Sequence, residues 1–188
     1  MLLTRALQGY SVVAGVCYHS SLGLSLGMRN GGAAMATQIF ISHIKEDAAV
    51  AARLKLRMTE DFLDQFGVFL SSDTESIAAG ENWLSSVSEE LRNASFLIVL
   101  CSPAAVIRPW VNFEAGAGWI REIPVIPVCF GGLKLLDLPM PLAASQGLEL
   151  NDAQGLRKLY DRISHNLGVQ SPARDYDALA ADLTASAE

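Results

Sequence analysis

At 188 residues, the chain is long enough for one domain with a substantial core. Apolar residues make up 51% of it and charged residues 18%, which excludes wholesale disorder. The formal net charge of −6, without any basic stripe, disfavours nucleic acid and anionic membranes as direct partners. The three cysteines are far apart and odd in number, so we expect no disulfide framework and a cytoplasmic location.

Residues 1–36 differ in composition from the rest of the chain. They contain no Asp or Glu, are rich in Gly and Ser, and end in Ala33-Ala34-Met35-Ala36. They are similar to a targeting peptide, but the apolar core around 12–16 is short for one. The alternative is an over-long reading frame in which Met35 is the true start. We expect a disordered or mis-assigned extension whose removal changes neither stability nor activity.

From residue 38 onwards, four short apolar runs rich in β-branched and aromatic residues, and a weaker fifth run, predict five strands. In chain order these runs are Gln38–Ser42, Val68–Leu70, Phe96–Cys101, Pro124–Phe130 and Gly147–Leu150. The third run is the strongest. Ser102-Pro103 interrupts its apolar continuation to Ile107, which is too short to span a bilayer.

Apolar residues at helical spacing predict the helices that connect these strands. The first helix carries Val50, Leu54, Met58, Phe62 and Phe66 and stops at Gly67; the second carries Trp83, Leu84, Val87, Leu91 and Ala94. Pro109 opens a third helix, where its missing N–H costs no hydrogen bond. Asp152 opens a fourth helix that runs to Leu167. For residues 169–188 we expect a tail or a short helix.

The alternation of strands and helices predicts an α/β fold for residues 37–168. Because the strands are continuously apolar, we expect a five-stranded parallel sheet with helices on both faces. Ligands of such sheets bind outside the carboxyl ends of the strands. Three segments reach that edge: Ser42-His43, the polar loop 71–80, and the segment from Ser102 into the third helix.

Glu114 is the only carboxylate within residues 91–121. Its helical neighbours are apolar, and Trp110, four residues earlier, shares its face. An acid in that setting is a candidate for desolvation and a raised pKa. The alternative is an ordinary solvent-facing glutamate. Gly116 and Gly118 each cost the helix about 1 kcal/mol relative to alanine, which indicates close approach of another backbone or a ligand.

Other polar residues at the predicted edge allow weaker hypotheses. His43 either contacts a ligand or is solvated. Cys101 and His43 suggest a Cys–His nucleophile, but a buried strand cysteine is the better interpretation. Asp73 and Glu75 have no accompanying histidine, so a solvated loop is preferred and no metal site is predicted.

Four sequence blocks follow one another along the chain. They are Ile39-Phe40-Ile41-Ser42-His43 with Glu46-Asp47, Gly67-Val68-Phe69-Leu70, Ile77-Ala78-Ala79-Gly80-Glu81-Asn82-Trp83, and Leu100-Cys101-Ser102-Pro103 with Pro109-Trp110-Val111-Asn112-Phe113-Glu114-Ala115-Gly116. In this order they resemble a bacterial TIR (Toll/interleukin-1 receptor) domain over residues 38–165. The resemblance implies a flavodoxin-like fold in which the loop 71–80 corresponds to the family's BB loop.

The resemblance also implies an activity. In catalytic TIR domains, the glutamate at the place of Glu114 is the essential NAD⁺-cleaving residue, so the chain is expected to be an NAD⁺ glycohydrolase or cyclase that needs no cofactor. The expected substrate-binding residues are Ser42, His43, Asp73, Ile77, Ser102 and Trp110. A role in antiviral defence signalling follows, with self-association through the BB loop and helices and a separately encoded sensor or effector as partner.

Two other functions fit the same residues. A non-catalytic TIR adaptor would act by homotypic association, although the Trp110–Glu114 pair favours the enzyme. A nucleoside deoxyribosyltransferase-like enzyme uses a similar fold and a glutamate nucleophile. Incubation with NAD⁺ and with deoxynucleosides distinguishes the three functions.

Overall fold

The structure is a computed structural model that describes residues 37–71 and 83–187. The strands are β1 Gln38–Ser42, β2 Gly67–Leu70, β3 Phe96–Cys101, β4 Val125–Cys129 and β5 Leu148–Glu149. The helices are α1 Ala48–Asp61, α2 Trp83–Asn93, α3 Pro109–Ile120, α4 Ala153–Leu167 and α5 Tyr176–Ala185. Short 3-10 turns occupy Lys45–Asp47, Leu135–Asp137 and Leu142–Ala144. The predicted extension 1–36 and residues 72–80 of the predicted loop lie outside the described residues.

The five strands form one parallel sheet in the order β2-β1-β3-β4-β5, so the predicted flavodoxin-like α/β fold is confirmed. β3 lies at the centre and is buried along its whole length, as expected for a strand covered on both faces. From β1 the chain moves to one side of the sheet and from β3 to the other. The ends of β1 and β3 therefore flank the topological switch point, where open α/β sheets bind ligands.

Two hydrophobic clusters cover the two faces of the sheet. On one face α1, α4 and α5 pack around Leu54, Met58, Ile98, Tyr160 and Leu183. On the other face α2 and α3 pack around Phe40, Leu91, Leu97, Val99 and Val111. Within the described part of the chain, no helix is both long and apolar enough to cross a bilayer.

The predicted end of the first helix is wrong. α1 ends at Asp61, and the chain then turns through Leu63 and Asp64, both with positive φ. Phe62 and Phe66 keep the buried positions that their spacing suggested, with ring centroids 5.2 Å apart, but they lie beyond the helix. The turn is required because the chain must reverse direction before it enters β2.

The C-terminal segment forms α5, a helix that packs against the same core. Asp175 caps it by accepting a hydrogen bond from the Ala178 amide at 3.0 Å. Leu179 and Leu183 are fully buried. Arg57 of α1 binds Asp182 of α5 at 2.8 Å, which adds a polar contact at the edge of this packing.

α3 begins at Pro109, as predicted, and its two glycines have different surroundings. A Cβ atom on Gly118 would lie 2.8 Å from the side chains of Leu97 and Val125, so close packing on the sheet explains that glycine. A Cβ atom on Gly116 would have no atom within 4 Å among its surroundings. The expected close approach is therefore found at Gly118 and not at Gly116.

Candidate functional site

The candidate site lies where β1 and β3 end. Ser42 is the last residue of β1 and is fully buried, and Ser102 directly follows β3. After Ser102 a short turn leads into α3, which carries Trp110 and Glu114. The fold thus brings together residues that are separated by about seventy positions in the sequence, as expected for the carboxyl edge of a parallel sheet.

Glu114 is completely buried, with 0% of its surface exposed, so the solvent-facing alternative is wrong. Among the described residues, no donor lies at both the distance and the angle of a hydrogen bond to either carboxyl oxygen. Burial raises the pKa of Glu114 from its ordinary 4.5 to about 7. The Ser42 hydroxyl and the Trp110 indole lie close enough to lower that pKa, but by less than burial raises it.

Trp110 forms part of an aromatic pair at the start of α3. Its ring stacks on Phe113 with centroids 5.2 Å apart and an interplanar angle of 24°. Trp110 is partly buried, whereas 55% of Phe113 is exposed. The pair therefore reaches from the buried Glu114 carboxyl to the surface of α3.

His43 is buried and is held by Ser71, the residue that directly follows the neighbouring strand β2. Its backbone N–H donates to Ser71 Oγ at 3.0 Å, and the Ser71 hydroxyl donates to the His43 carbonyl at 3.1 Å. His43 Nδ1 lies 3.2 Å from the Ile41 carbonyl, which can only accept a hydrogen bond. Nδ1 also lies 3.1 Å from Ser71 Oγ, so these two contacts hold the ring against the ends of β1 and β2. The solvated interpretation of His43 is wrong.

Asp47 is a site residue that sequence reasoning missed. In the sequence it was noted only within the first TIR-like block, yet it is 7% exposed and accepts a hydrogen bond from Ser102 Oγ at 2.8 Å. Burial raises its pKa, and the Ser102 hydrogen bond opposes that increase. Its position, five residues after the end of β1, was the available signal.

Cys101 does not form a nucleophile with His43. It is fully buried, and its thiol donates to the Val99 carbonyl at 3.3 Å. The neighbouring Cys129 thiol and burial both raise the pKa of Cys101, which disfavours the reactive thiolate. The buried strand cysteine is the correct interpretation.

The remaining candidates stay predictions from the sequence. Asp73 and Ile77, predicted to bind substrate, and Glu75 lie outside the described residues. Within residues 37–71 and 83–187, no cluster of three or more His, Cys, Asp or Glu side chains is arranged to hold a metal ion.

Comparisons with known proteins address the family of the chain. The model of the TIR domain family matches residues 39–160. No curated protein matches the chain in sequence. A solved structure of a metazoan TIR-STING receptor from C. gigas, in complex with 2′,3′-cGAMP, shares 21% identity with a TM-score of 0.45, and the match covers 78% of this chain and only 39% of that receptor. Since the family match extends over more than half of the chain, the protein belongs to the TIR domain family.

Proposed function

We propose that the protein cleaves the bond between nicotinamide and ribose in NAD⁺, with Glu114 as the catalytic residue. The observation that carries this proposal is the environment of Glu114. Its carboxyl group is fully buried beside Ser42 and Trp110 at the switch point. No donor among the described residues has the geometry of a hydrogen bond to it. A buried acid in that state destabilises the fold, and such a cost is typical of functional sites.

The chemistry needs only one carboxylate. The nicotinamide of NAD⁺ is a cationic leaving group, and the electron pair of the broken C–N bond neutralises its ring nitrogen, so no general acid is required. The ribose becomes an oxocarbenium-like cation, which the Glu114 carboxylate stabilises in a site where water does not screen the charge. Attack by water then gives ADP-ribose and a proton, and attack by a nucleophile within the same molecule gives a cyclic product.

The surrounding residues have distinct roles in this proposal. Trp110 forms one wall of the nicotinamide-ribose pocket, and Ser42, His43 and Ser102 contact the ribose from the ends of β1 and β3. Because Glu114 is fully covered, NAD⁺ must displace the groups that cover it. Asp73 and Ile77, from the sequence that follows β2, are proposed as further substrate-binding residues. The product is proposed to act in antiviral defence signalling.

The test is nicotinamide release from NAD⁺, measured by chromatography with a parallel incubation on deoxynucleosides. We expect Glu114→Gln to abolish NAD⁺ loss, because the amide keeps the shape but not the charge, an effect of about 100-fold or more. Glu89→Gln, at an exposed site on α2, is the matched control and should retain full activity. Near wild-type turnover by folded Glu114→Gln would refute the mechanism, and turnover of deoxynucleosides alone would favour a deoxyribosyltransferase-like enzyme.

A second candidate function, homotypic association, is favoured by the outer surface of α3. Three large apolar side chains are exposed there: Phe113 at 55%, Trp119 at 68% and Ile120 at 78%. A helix that is apolar on both its inner and outer faces is normally covered on both. We therefore propose that copies associate through α3 and loop 71–80, either as an adaptor or to activate cleavage, with a separately encoded sensor or effector as partner.

Dilution separates the adaptor from the assembly-activated enzyme. NAD⁺ turnover per mole of protein should rise with concentration, in parallel with mass from light scattering, if association opens the site. Ile77→Asp should suppress both increases. Association without any NAD⁺ turnover would identify an adaptor, and constant turnover from a monomer would refute assembly-dependent activation.

A further inference from the structure

Two separate chain segments build the candidate site. The first runs from Ser42 to Asp47 after β1, and the second runs from Ser102 through α3 to Glu114. Ser42 lies close to Glu114, so the geometry of the carboxyl group depends on how these two segments are held together. Such a site works only if its groups are fixed to within a fraction of an ångström by their surroundings.

The Asp47–Ser102 hydrogen bond joins these segments. Ser102 Oγ donates to Asp47 Oδ2 at 2.8 Å, and both residues are 7% exposed. Ser102 Oγ also accepts a hydrogen bond from the Ala105 amide at 3.1 Å, which fixes the turn that leads into α3. The bond therefore connects the end of β1 to the start of the helix that carries Glu114.

Asp47 makes this bond instead of the helix-capping hydrogen bond that an aspartate at its position commonly makes. It stands at the N-cap of α1, yet its side chain caps no backbone N–H there. An N-cap hydrogen bond is typically worth about 1 kcal/mol, and burying a carboxylate for a single hydroxyl partner is costly. Neither the missing N-cap bond nor the buried carboxylate stabilises α1. We infer that the orientation of Asp47 serves the site.

We propose that Asp47 is a positioning residue. It acts through Ser102 to hold the start of α3, so that Glu114 stays buried beside Ser42 and out of contact with water. This inference rests on the proposed function for its catalytic consequence. The structural part of the inference, that Asp47 keeps Glu114 buried, is independent of any substrate. The role needs the acceptor oxygen of Asp47 and not its charge.

A second contact between the same segments serves as a matched control. Arg108 binds Glu46 at 2.9 Å, but both side chains are more than half exposed, so the pair is expected to contribute little. Glu46 and His43 are the charged or titratable neighbours that affect the pKa of Asp47. Glu46→Gln therefore tests whether loss of a nearby negative charge alone changes the site.

The first measurement uses no NAD⁺. With Trp83 and Trp119 replaced by Phe, Trp110 is the only tryptophan, and its fluorescence is followed against pH. We expect a transition near pH 7 that Glu114→Gln removes. Asp47→Ala should lower its midpoint by about one pH unit or more, because water reaches the carboxyl group. Asp47→Asn and Glu46→Gln should leave it in place, since Asn keeps the acceptor oxygen.

The second measurement is steady-state NAD⁺ cleavage. We expect Asp47→Ala to lower kcat about tenfold with little change in KM, and Asp47→Asn to restore most of it. If Asp47→Ala does not fold, Ser102→Ala removes the same bond and should lower the fluorescence midpoint in the same way. An unchanged midpoint in the alanine variants, or loss of kcat in Asp47→Asn equal to that in Asp47→Ala, would overturn the proposal. A wild-type protein that cleaves no NAD⁺ would refute the proposed function, while the fluorescence result would still decide the role of Asp47.

Discussion

Replacing Glu114 by Gln is expected to stabilise the protein, and the gain should depend on pH. In the folded protein burial raises the pKa of Glu114 from 4.5 to about 7, so the fold favours the protonated acid. The contribution of Glu114 to the free energy of unfolding is therefore fully present below pH 4.5 and is lost as the pH rises to 7. Each pH unit in that window corresponds to about 1.4 kcal/mol, which gives a total loss of about 3 kcal/mol.

Glutamine resembles the protonated acid in shape and charge but does not titrate. Near pH 4.5 the two proteins should therefore have similar free energies of unfolding. At pH 8, where wild-type Glu114 must be charged inside the fold, the glutamine variant should be more stable by about 3 kcal/mol. For a chain of this size, that difference corresponds to an increase in Tm of about 6–12 °C.

The assay is urea denaturation followed by circular dichroism at several pH values between 4.5 and 8.5. The difference between variant and wild type cancels the titration of groups that both proteins share. Glu89→Gln, at an exposed site, should give a flat difference curve. An equal offset at all pH values, or a glutamine variant that is less stable at pH 8, would show that Glu114 is hydrated in the folded protein.

Three further outcomes are expected. The kcat/KM for NAD⁺ should fall with decreasing pH below about 7 and be constant above it, because cleavage needs the Glu114 carboxylate; initial rates from pH 5.5 to 8.5 measure this. Gly116→Ala should raise the free energy of unfolding by about 1 kcal/mol. Gly118→Ala should be less stable than Gly116→Ala by about 2 kcal/mol, because the added Cβ overpacks the contact between α3 and the sheet. Chemical denaturation compares the two variants, and equal stabilities would contradict the packing argument. Leu183→Ala in α5 should lower the free energy of unfolding by about 2–5 kcal/mol, whereas Leu136→Ala, at a side chain that is 99% exposed, should change it by less than about 0.5 kcal/mol in the same assay.

The sequence alone determined the order and type of the elements. Four of the five strands were predicted from apolar runs that contain β-branched residues, because a strand covered on both faces must be apolar throughout. The helices followed from apolar residues at helical spacing, and Pro109 marked the start of α3. Its isolation among apolar neighbours made Glu114 a candidate for an unusual environment, and only the resemblance to TIR domains implied a catalytic role.

The tertiary structure decided where α1 ends and what surrounds Glu114. Helical spacing continued through Phe62 and Phe66, because both side chains are buried, but the chain had to reverse at Leu63 and Asp64 to enter β2. The sequence left Glu114 with two alternatives, exposed or buried. Only the packing of α3 against the end of β1 decided between them.

The Asp47–Ser102 hydrogen bond shows most clearly what local patterns omit. Its partners are 55 residues apart, and each has an ordinary local interpretation, Asp47 as a helix N-terminal acid and Ser102 as a strand terminator. Periodicity and propensity describe how a residue fits its own element. A contact between two loops depends on the strand order, which places the ends of β1 and β3 side by side at the switch point.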